Sequence, residues 1–244
     1  MPEIGVAVLY PELLDTYADR GNALAVRHRA GLHGLDVRIV TIHPDDHVPA
    51  TADLYLLGGA EDAAMLSALD LLRRRPALQH AVDAGASVLG VCAGFQLLAH
   101  EFAAAGGRAV EGLGLLDVRS TRLAARAVGE VAVDSPLLGE LQGFENHRGD
   151  ARLGPGAVAL GTVVHGVGNG HERREGAIQG NVVATYLHGP VLVRNPALAD
   201  LLLGRITGET LPAVPDELVE RLRAERHGDL ERRHRWRHRM PHRH

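Results

Sequence analysis

Ala86-Ser-Val-Leu-Gly-Val-Cys-Ala-Gly-Phe-Gln-Leu-Leu-Ala-His-Glu-Phe102 is the stretch that decides how this chain is read. Val88, Leu89 and Val91 form a short apolar run with β-branched members, as a buried parallel strand does. Phe95, Leu97, Leu98, Ala99 and Phe102 then recur at helical spacing, so a helix is expected to run through Phe102. Between the two stands Cys92, the only cysteine in the chain. Gly90, Ala93 and Gly94 let the backbone turn sharply there. A side chain on such a strand-to-helix turn points away from the sheet, the layout of a nucleophile elbow. The following helix offers its positive end and free N–H groups, which favour a thiolate and let the Ala93 N–H face a developing oxyanion. Without that setting a single cysteine is more often a small buried hydrophobe.

Composition narrows the possibilities. Of the 244 residues 45% are apolar, enough for a sizeable core, yet only 3% are aromatic, so Leu, Val and Ala must fill it. One cysteine excludes an internal disulfide framework and suits a reducing compartment. No apolar run approaches the roughly 20 residues that span a bilayer, and Met1-Pro2-Glu3 opens no signal peptide, so a cytoplasmic protein is expected. Every strongly basic residue is arginine. Schiff-base lysine chemistry and a Walker A phosphate loop are thereby excluded. The formal charge of −4 hides an asymmetry, because residues 221–244 hold nine arginines against three acidic residues.

Strand and helix patterns alternate through the first half of the chain. Ile4–Leu9, Val37–Ile42 and Leu54–Leu57 are expected strands. Helices are expected up to Leu32, capped by Asp19 or Asn22, over Met65–Leu72, and from Pro76 to Gly85. This alternation implies a parallel sheet covered on both faces. After Gly107 the rhythm changes to Leu115–Ser120, Val131–Val133, Val158–Val164 and Val182–Tyr186, expected as antiparallel additions at the sheet edge with the last run returning to the core. Pro196–Ile206 is an expected closing helix. One domain over 1–208 is anticipated, followed by a basic tail over 209–244 with a short helix at 216–226. Removal of residues 212–244 is expected to leave the core folded.

A cysteine nucleophile needs a base. His188 ends the strand Asn181-Val-Val-Ala-Thr-Tyr-Leu-His188, and ligands of open α/β sheets bind outside the carboxyl ends of the strands. Cys92 and His188 can therefore meet across neighbouring strands. Of the 15 histidines, His28, His33, His80 and His100 fall on expected helices and read as solvated. His147 and His165, in loops, are weaker rivals to His188. Gly166-Val-Gly-Asn-Gly170 opens no helix and reads as a turn rather than a dinucleotide loop. Scattered histidines and one cysteine give no metal-ligand spacing, so no metal is expected.

Cys-x-Gly-x-Gln, here Cys92, Gly94 and Gln96, resembles the nucleophile motif of class I glutamine amidotransferases. Tyr17-Ala-Asp-Arg-Gly-Asn22, Gly143-Phe-Glu-Asn-His147 and Tyr186-Leu-His-Gly-Pro190 follow the same order as in the glutamine amidotransferase subunits of lipid II isoglutaminyl synthase, a branch near the cobyric acid synthase glutaminases. The resemblance spans residues 4 to about 208 and implies a three-layer flavodoxin-like fold, mostly parallel with antiparallel edge strands. It also implies a glutaminase working through a cysteine thioester and passing ammonia to a Mur-ligase-like partner subunit in a heterodimer. That partner would use ATP to amidate the D-glutamate of the lipid II stem peptide, so no cofactor is expected in this chain. By the same resemblance Gly59 joins Ala93 in the oxyanion hole. Arg126, with Arg122 as rival, and Gln96 would bind the substrate L-glutamine, since a guanidinium clamps a carboxylate bidentately.

One departure stands out. The family commonly places a glutamate two residues after the histidine to orient it, whereas this chain has Pro190. The resemblance implies an acidic residue from the partner instead, with Glu145 and Asp150 as in-chain substitutes. Asp19 is read as a helix cap and partner-facing residue. The tail has no family counterpart, and a solvated tail is expected rather than one that binds nucleic acid. A corrinoid-pathway glutaminase, a cysteine-elbow redox or electrophile-handling protein, and an inactive regulatory subunit remain as alternatives.

Overall fold

The computed structural model describes residues 3–226. Its main sheet begins with β1 (Ile4–Leu9), β2 (Val37–Ile42), β3 (Leu54–Leu57) and β4 (Ser87–Val91). The helices α1 (Gly21–Leu32), α2 (Asp62–Arg74) and α3 (Ala77–Asp83) fall between these strands. β3 and β4 are buried along their whole length, as strands covered on both faces must be. After β4 come α4 (Ala93–Leu98), β5 (Ala99–Ala103), β6 (Ala109–Glu111), β7 (Leu116–Ser135), β8 (Gly139–Leu153), β9 (Gly161–His165) and β10 (Arg174–Glu175). The chain then returns through β11 (Ala177–Gln179) and β12 (Val182–Thr185) and closes with α5 (Val191–Arg194) and α6 (Pro196–Thr207).

The main sheet has the order β11-β12-β4-β3-β1-β2, and every pairing in it is parallel except β11 with β12. Helices α1, α5 and α6 pack on one another, and α2 packs on α4. The alternation of the first half is thus realised as a doubly covered α/β sheet. The expected antiparallel additions differ: only β11 joins the main sheet at its edge. The rest form a second sheet, β10-β9-β7-β5-β6 with β8 against β7.

Two local expectations are corrected. The helix after Cys92 stops at Leu98, and His100 and Phe102 lie in β5. In a longer helix the Leu97 carbonyl would accept from Glu101; here it accepts from Leu113 N–H at 2.7 Å, while Gly112 and Gly114 take the carbonyls of His100 and Ala99. The apolar spacing suits either conformation, and this tertiary contact selects the strand. His147, expected in a loop, lies in β8. Gln142, Glu145, His147 and Asp150 of this strand are buried, and their side chains have hydrogen-bond partners inside the protein.

The chain after α6 is held down. Gly208 takes the left-handed conformation past the end of α6, and Arg29 reaches Asp200 with Nε to Oδ1 at 2.9 Å and Nη2 to Oδ2 at 2.5 Å. The remaining Nη1 donates to the Val214 carbonyl at 3.0 Å. His33 adds Nε2 to Asp200 Oδ1 at 3.2 Å, so its side chain is packed against α6 and not solvated as expected. Residues 217–226 are helical, and Arg226 meets Glu130 at 3.0 Å. The segment beyond Pro212 is therefore attached to the domain as far as it is described; the rest of the expected tail lies outside the described residues.

Arg29→Ala strands Asp200 and should lower unfolding free energy by about 3–5 kcal/mol in urea titrations, whereas truncation after Pro212 removes the Val214 carbonyl acceptor and the partly exposed Arg226–Glu130 pair and should cost about 1–3 kcal/mol. Glu175, fully buried behind β12, is pushed up to about 7 by burial, against hydrogen bonds from Thr185 and Tyr186. The folded protein then keeps a proton that the unfolded chain releases near 4.5, so stability should fall as pH rises from about 4.5 to 7, on the order of 3 kcal/mol. Glu175→Gln should flatten that part of the stability–pH curve.

Candidate active site

Cys92 follows β4 with φ 54° and ψ −98°, a conformation that costs a non-glycine residue free energy and that packing has to hold. The holding contacts are specific. Cys92 N–H donates to the Thr185 carbonyl at 2.8 Å, and Gly94 N–H donates to the Gly58 carbonyl at 3.1 Å. A Cβ on Gly94 would stand 2.4 Å from the Leu57 carbonyl oxygen, so only glycine lets the elbow lie against the β3 turn. The first N–H of α4, that of Ala93, has no intrahelical partner.

His188 lies three residues past the end of β12, beside Cys92. Its backbone is clipped to β8, with His188 N–H to the Phe144 carbonyl at 2.8 Å and Phe144 N–H to the His188 carbonyl at 3.0 Å. Its Nε2 is buried with no hydrogen-bond partner among the described residues. Its Nδ1 faces Asp19, 3.3 Å from Oδ2 and 3.4 Å from Oδ1. Burial alone would lower the imidazole pKa. The Asp19 carboxylate and the neighbouring Cys92 sulfur outweigh it and push His188 up to about 10. Tyr17 sets the edge of its ring on His188 at 4.9 Å and on Phe144 at 5.5 Å.

This arrangement corrects the reading of Asp19. The residue before α1 is Arg20, and no side chain caps the helix. Asp19 turns inward instead and is 2% exposed. Neither in-chain substitute faces His188: Glu145 accepts from the N–H groups of Val167 and Gly168, and Asp150 pairs with His171 at 2.6 Å. Asn22, the other expected cap, accepts from Leu192 N–H and ties α1 to α5.

The expected oxyanion donor Gly59 is also corrected. Its N–H donates to Asp19 Oδ2 at 2.7 Å, so in this conformation it is not free for a substrate oxygen. The glycine itself is required, because a Cβ there would lie 2.8 Å from His188 Cε1.

Arg126 is exposed on a bulge of β7 and donates from Nε to Asn146 Oδ1, and Asn146 Nδ2 donates to the Tyr17 hydroxyl. A chain of contacts thus joins Arg126 to the rim of His188. Arg122 is engaged by the Ala104 carbonyl at 3.2 Å and lies 3.8 Å from Asp62. Gln96 is half-buried, near Tyr186 and Gly149. The rival His147 is buried, stacked on Tyr186 at 3.8 Å, with Nδ1 bonded to the Gly149 carbonyl. Of the residues expected in the site, Cys92, His188 and Ala93 come together at its centre. Sequence reasoning missed Asp19, Tyr17, Phe144 and Asn146 as neighbours of the histidine, although all four stand in motifs it had singled out. No cluster of metal-ligating residues occurs among the described residues.

A thiol on a strained elbow, next to an imidazole backed by a carboxylate, is equipped for acyl transfer through a covalent intermediate. Residues 5–196 match the CobB/CobQ-like glutamine amidotransferase domain. The chain is 32% identical over 222 residues to "Lipid II isoglutaminyl synthase (glutamine-hydrolyzing) subunit GatD" of Staphylococcus aureus, covering 89% of this chain and 90% of that protein. Its likeness to the protein of the same name from Streptococcus pneumoniae is 34% over 241 residues, covering 93% and 92%. Cobyric acid synthase of Sphingopyxis alaskensis is 34% identical over 183 residues, but only 35% of its length is covered. A crystal structure of a glutamine amidotransferase superposes with TM-score 0.59 at 20% identity, covering 83% of this chain and 98% of that one, which bears on the fold alone. Fold, elbow and sequence match together place the chain in one family: it belongs to the CobB/CobQ-like glutamine amidotransferases.

Proposed function

We propose that this chain is the glutamine-hydrolysing subunit of a lipid II isoglutaminyl synthase, with Cys92 as nucleophile and His188 as its acid and base. The observation that carries the chemistry is the buried Nε2 of His188, without another partner, beside a cysteine on a strained elbow. In the forward reaction the Cys92 thiolate attacks the side-chain amide carbon of L-glutamine, and the tetrahedral oxyanion faces the Ala93 N–H. Gly59 N–H adds to that hole only when Asp19 Oδ2 releases it. The intermediate collapses as His188 Nε2 gives its proton to the departing ammonia. The same nitrogen then takes a proton from water, which attacks the thioester and frees glutamate. Arg126 clamps the α-carboxylate of the substrate, and Gln96 lines the pocket beside the elbow.

The acceptor comes from the relatives. Both isoglutaminyl synthase subunits are covered over about nine-tenths of their length, whereas the cobyric acid synthase is covered over only a third. This supports the isoglutaminyl synthase reading over the cobyric acid synthase one. Its partner is a Mur-ligase-like, ATP-using synthetase that amidates the D-glutamate of the lipid II stem peptide with the ammonia released here. We place the heterodimer in the cytoplasm, where a lone reactive thiol stays reduced; no helix among the described residues is long and apolar enough to cross a membrane.

Cys92→Ala should lower glutamine hydrolysis by at least about 10⁴-fold while leaving the thermal melt unchanged; persistent hydrolysis would overturn the nucleophile. Arg126→Ala should raise KM about tenfold or more with kcat changed little, the mark of lost uniform binding. The reverse pattern, with Arg122→Ala carrying the KM effect, would move the clamp to Arg122. Transfer of ¹⁵N from amide-labelled glutamine to lipid II, with the synthetase partner and ATP present, tests the acceptor.

A further inference from the structure

We propose that Asn146 of β8, braced by the Tyr17 hydroxyl, is the positioning residue that aims the Arg126 guanidinium at the α-carboxylate of glutamine and so fixes the reach between that clamp and Cys92. The inference deepens the reading of Arg126 as the substrate clamp and rests on it.

Arg126 stands where the backbone alone cannot place it. The β7–β8 ladder pairs Arg122 with Gly149 and resumes at Ala127 with His147, so residues 123–126 leave it opposite Arg148 alone. Arg126 is exposed on this bulge, and an untethered arginine there keeps a rotamer freedom that a bound carboxylate would have to remove. Asn146 Oδ1 removes it beforehand by accepting from Arg126 Nε. Arginine offers only donors, so the amide must turn its oxygen to Nε, and its Nδ2 is left to donate to the Tyr17 hydroxyl oxygen. Asn146 itself rests on a stiff platform. Its neighbour Glu145 accepts from Val167 and Gly168 N–H, and its neighbour His147 stacks on Tyr186. Phe144, two residues earlier and so on the same face of the strand, clips the His188 backbone. Clamp and base are thus both referenced to β8.

An amide suits this task in a way a carboxylate would not. Oδ1 engages Nε without cancelling the positive charge, and the two Nη atoms remain to make parallel bonds to a carboxylate. Arg122, the rival clamp, has no such setting: its Nη1 donates to the Ala104 carbonyl at 3.2 Å and lies 3.8 Å from Asp62. The brace is built from the other side of the site. Tyr17 holds a φ of 64°, which a non-glycine residue keeps only where its surroundings impose it. Its ring meets His188 at 4.9 Å and Phe144 at 5.5 Å while its hydroxyl takes Asn146. A guanidinium fixed in advance lowers the ordering cost of binding and holds the substrate amide at one distance from the thiol. Loss of Asn146 therefore weakens recognition of the carboxylate and leaves the chemistry at the amide.

The experiment uses the full chain, L-glutamine and two electrophiles that read Cys92, the only cysteine. One is 6-diazo-5-oxo-L-norleucine, which carries the α-carboxylate of glutamine; the other is iodoacetamide, which does not. Asn146→Ala should raise KM for glutamine about three- to tenfold with kcat changed less than about threefold. It should slow inactivation by the diazo ketone by a similar factor and leave alkylation by iodoacetamide within about twofold of the parent. The double variant Arg126→Ala/Asn146→Ala should raise KM no more than about twofold beyond Arg126→Ala, because the two side chains act as one unit. Tyr17→Phe, which keeps the ring and loses the hydroxyl, should raise KM about twofold or more; an unchanged KM there overturns the brace. An unchanged KM in Asn146→Ala overturns the proposal, as do effects that multiply in the double variant. Iodoacetamide slowed as much as the diazo ketone also overturns it, since that marks a general loosening of β8. If Asn146→Ala does not fold, Asn146→Asp decides, having the same shape and a charge that neutralises the guanidinium: selective slowing of the diazo ketone supports the proposal, and parent rates with both reagents overturn it. Arg126→Ala with KM unchanged would sink the clamp reading and the inference with it, whereas a KM raised by Arg126→Ala but not by Asn146→Ala overturns the positioning role alone.

Discussion

The hydrogen bond from Cys92 N–H to the Thr185 carbonyl, 2.8 Å long, is the last rung between β4 and β12, and the geometry of the site hangs from it. The two strands run parallel in register, Val91 beside Thr185. Their carboxyl ends therefore emerge side by side, one bearing the thiol and the other, three residues on, the imidazole. Parallel pairing alone does not aim the two groups. The strained elbow, braced by Gly94 on the Leu57–Gly58 turn, aims the thiol. The clip between His188 and Phe144 aims the ring. The second sheet is in this sense part of the site, because β8 supplies that clip.

The motif Gly143-Phe-Glu-Asn-His147 shows how one strand serves several contacts. Gly143 leaves room for Leu187, since a Cβ there would stand 2.7 Å from the Leu187 Cβ. Phe144 fixes the His188 backbone, Glu145 accepts from the loop at Val167 and Gly168, Asn146 joins Tyr17 to Arg126, and His147 stacks on Tyr186. Alternation along the strand does not separate an apolar inner face from a wet outer one here. Polar side chains are buried because each finds a partner within the fold.

What was legible in the sequence was local. The elbow, the histidine at a strand end and the alternation of the first half are patterns within a few residues, and the structure has each of them. What was not legible was set by distant contacts. Asp19 lies 169 residues from His188, and its short polar side chain before a helix fits a cap as well as a buried acid. Gly59 N–H was read as a donor to substrate because nothing nearby announces that a carboxylate from the first loop already takes it. The helix after Cys92 was drawn too long because only Leu113, fifteen residues beyond the end of α4, reveals that the Leu97 carbonyl is taken. His33 read as solvated because Asp200, its partner, is 167 residues away.

That separation has a bearing on how the protein is made. A chain growing from its N-terminus presents Cys92 while β12 is still unmade, and contacts of such long range form late, after the entropy of closing most of the chain has been overcome. Until then the cysteine has no imidazole beside it and no strained turn beneath it, so it behaves as an ordinary thiol. Reactivity is therefore conferred only on a finished domain, and a fragment released early carries the sulfur without the chemistry.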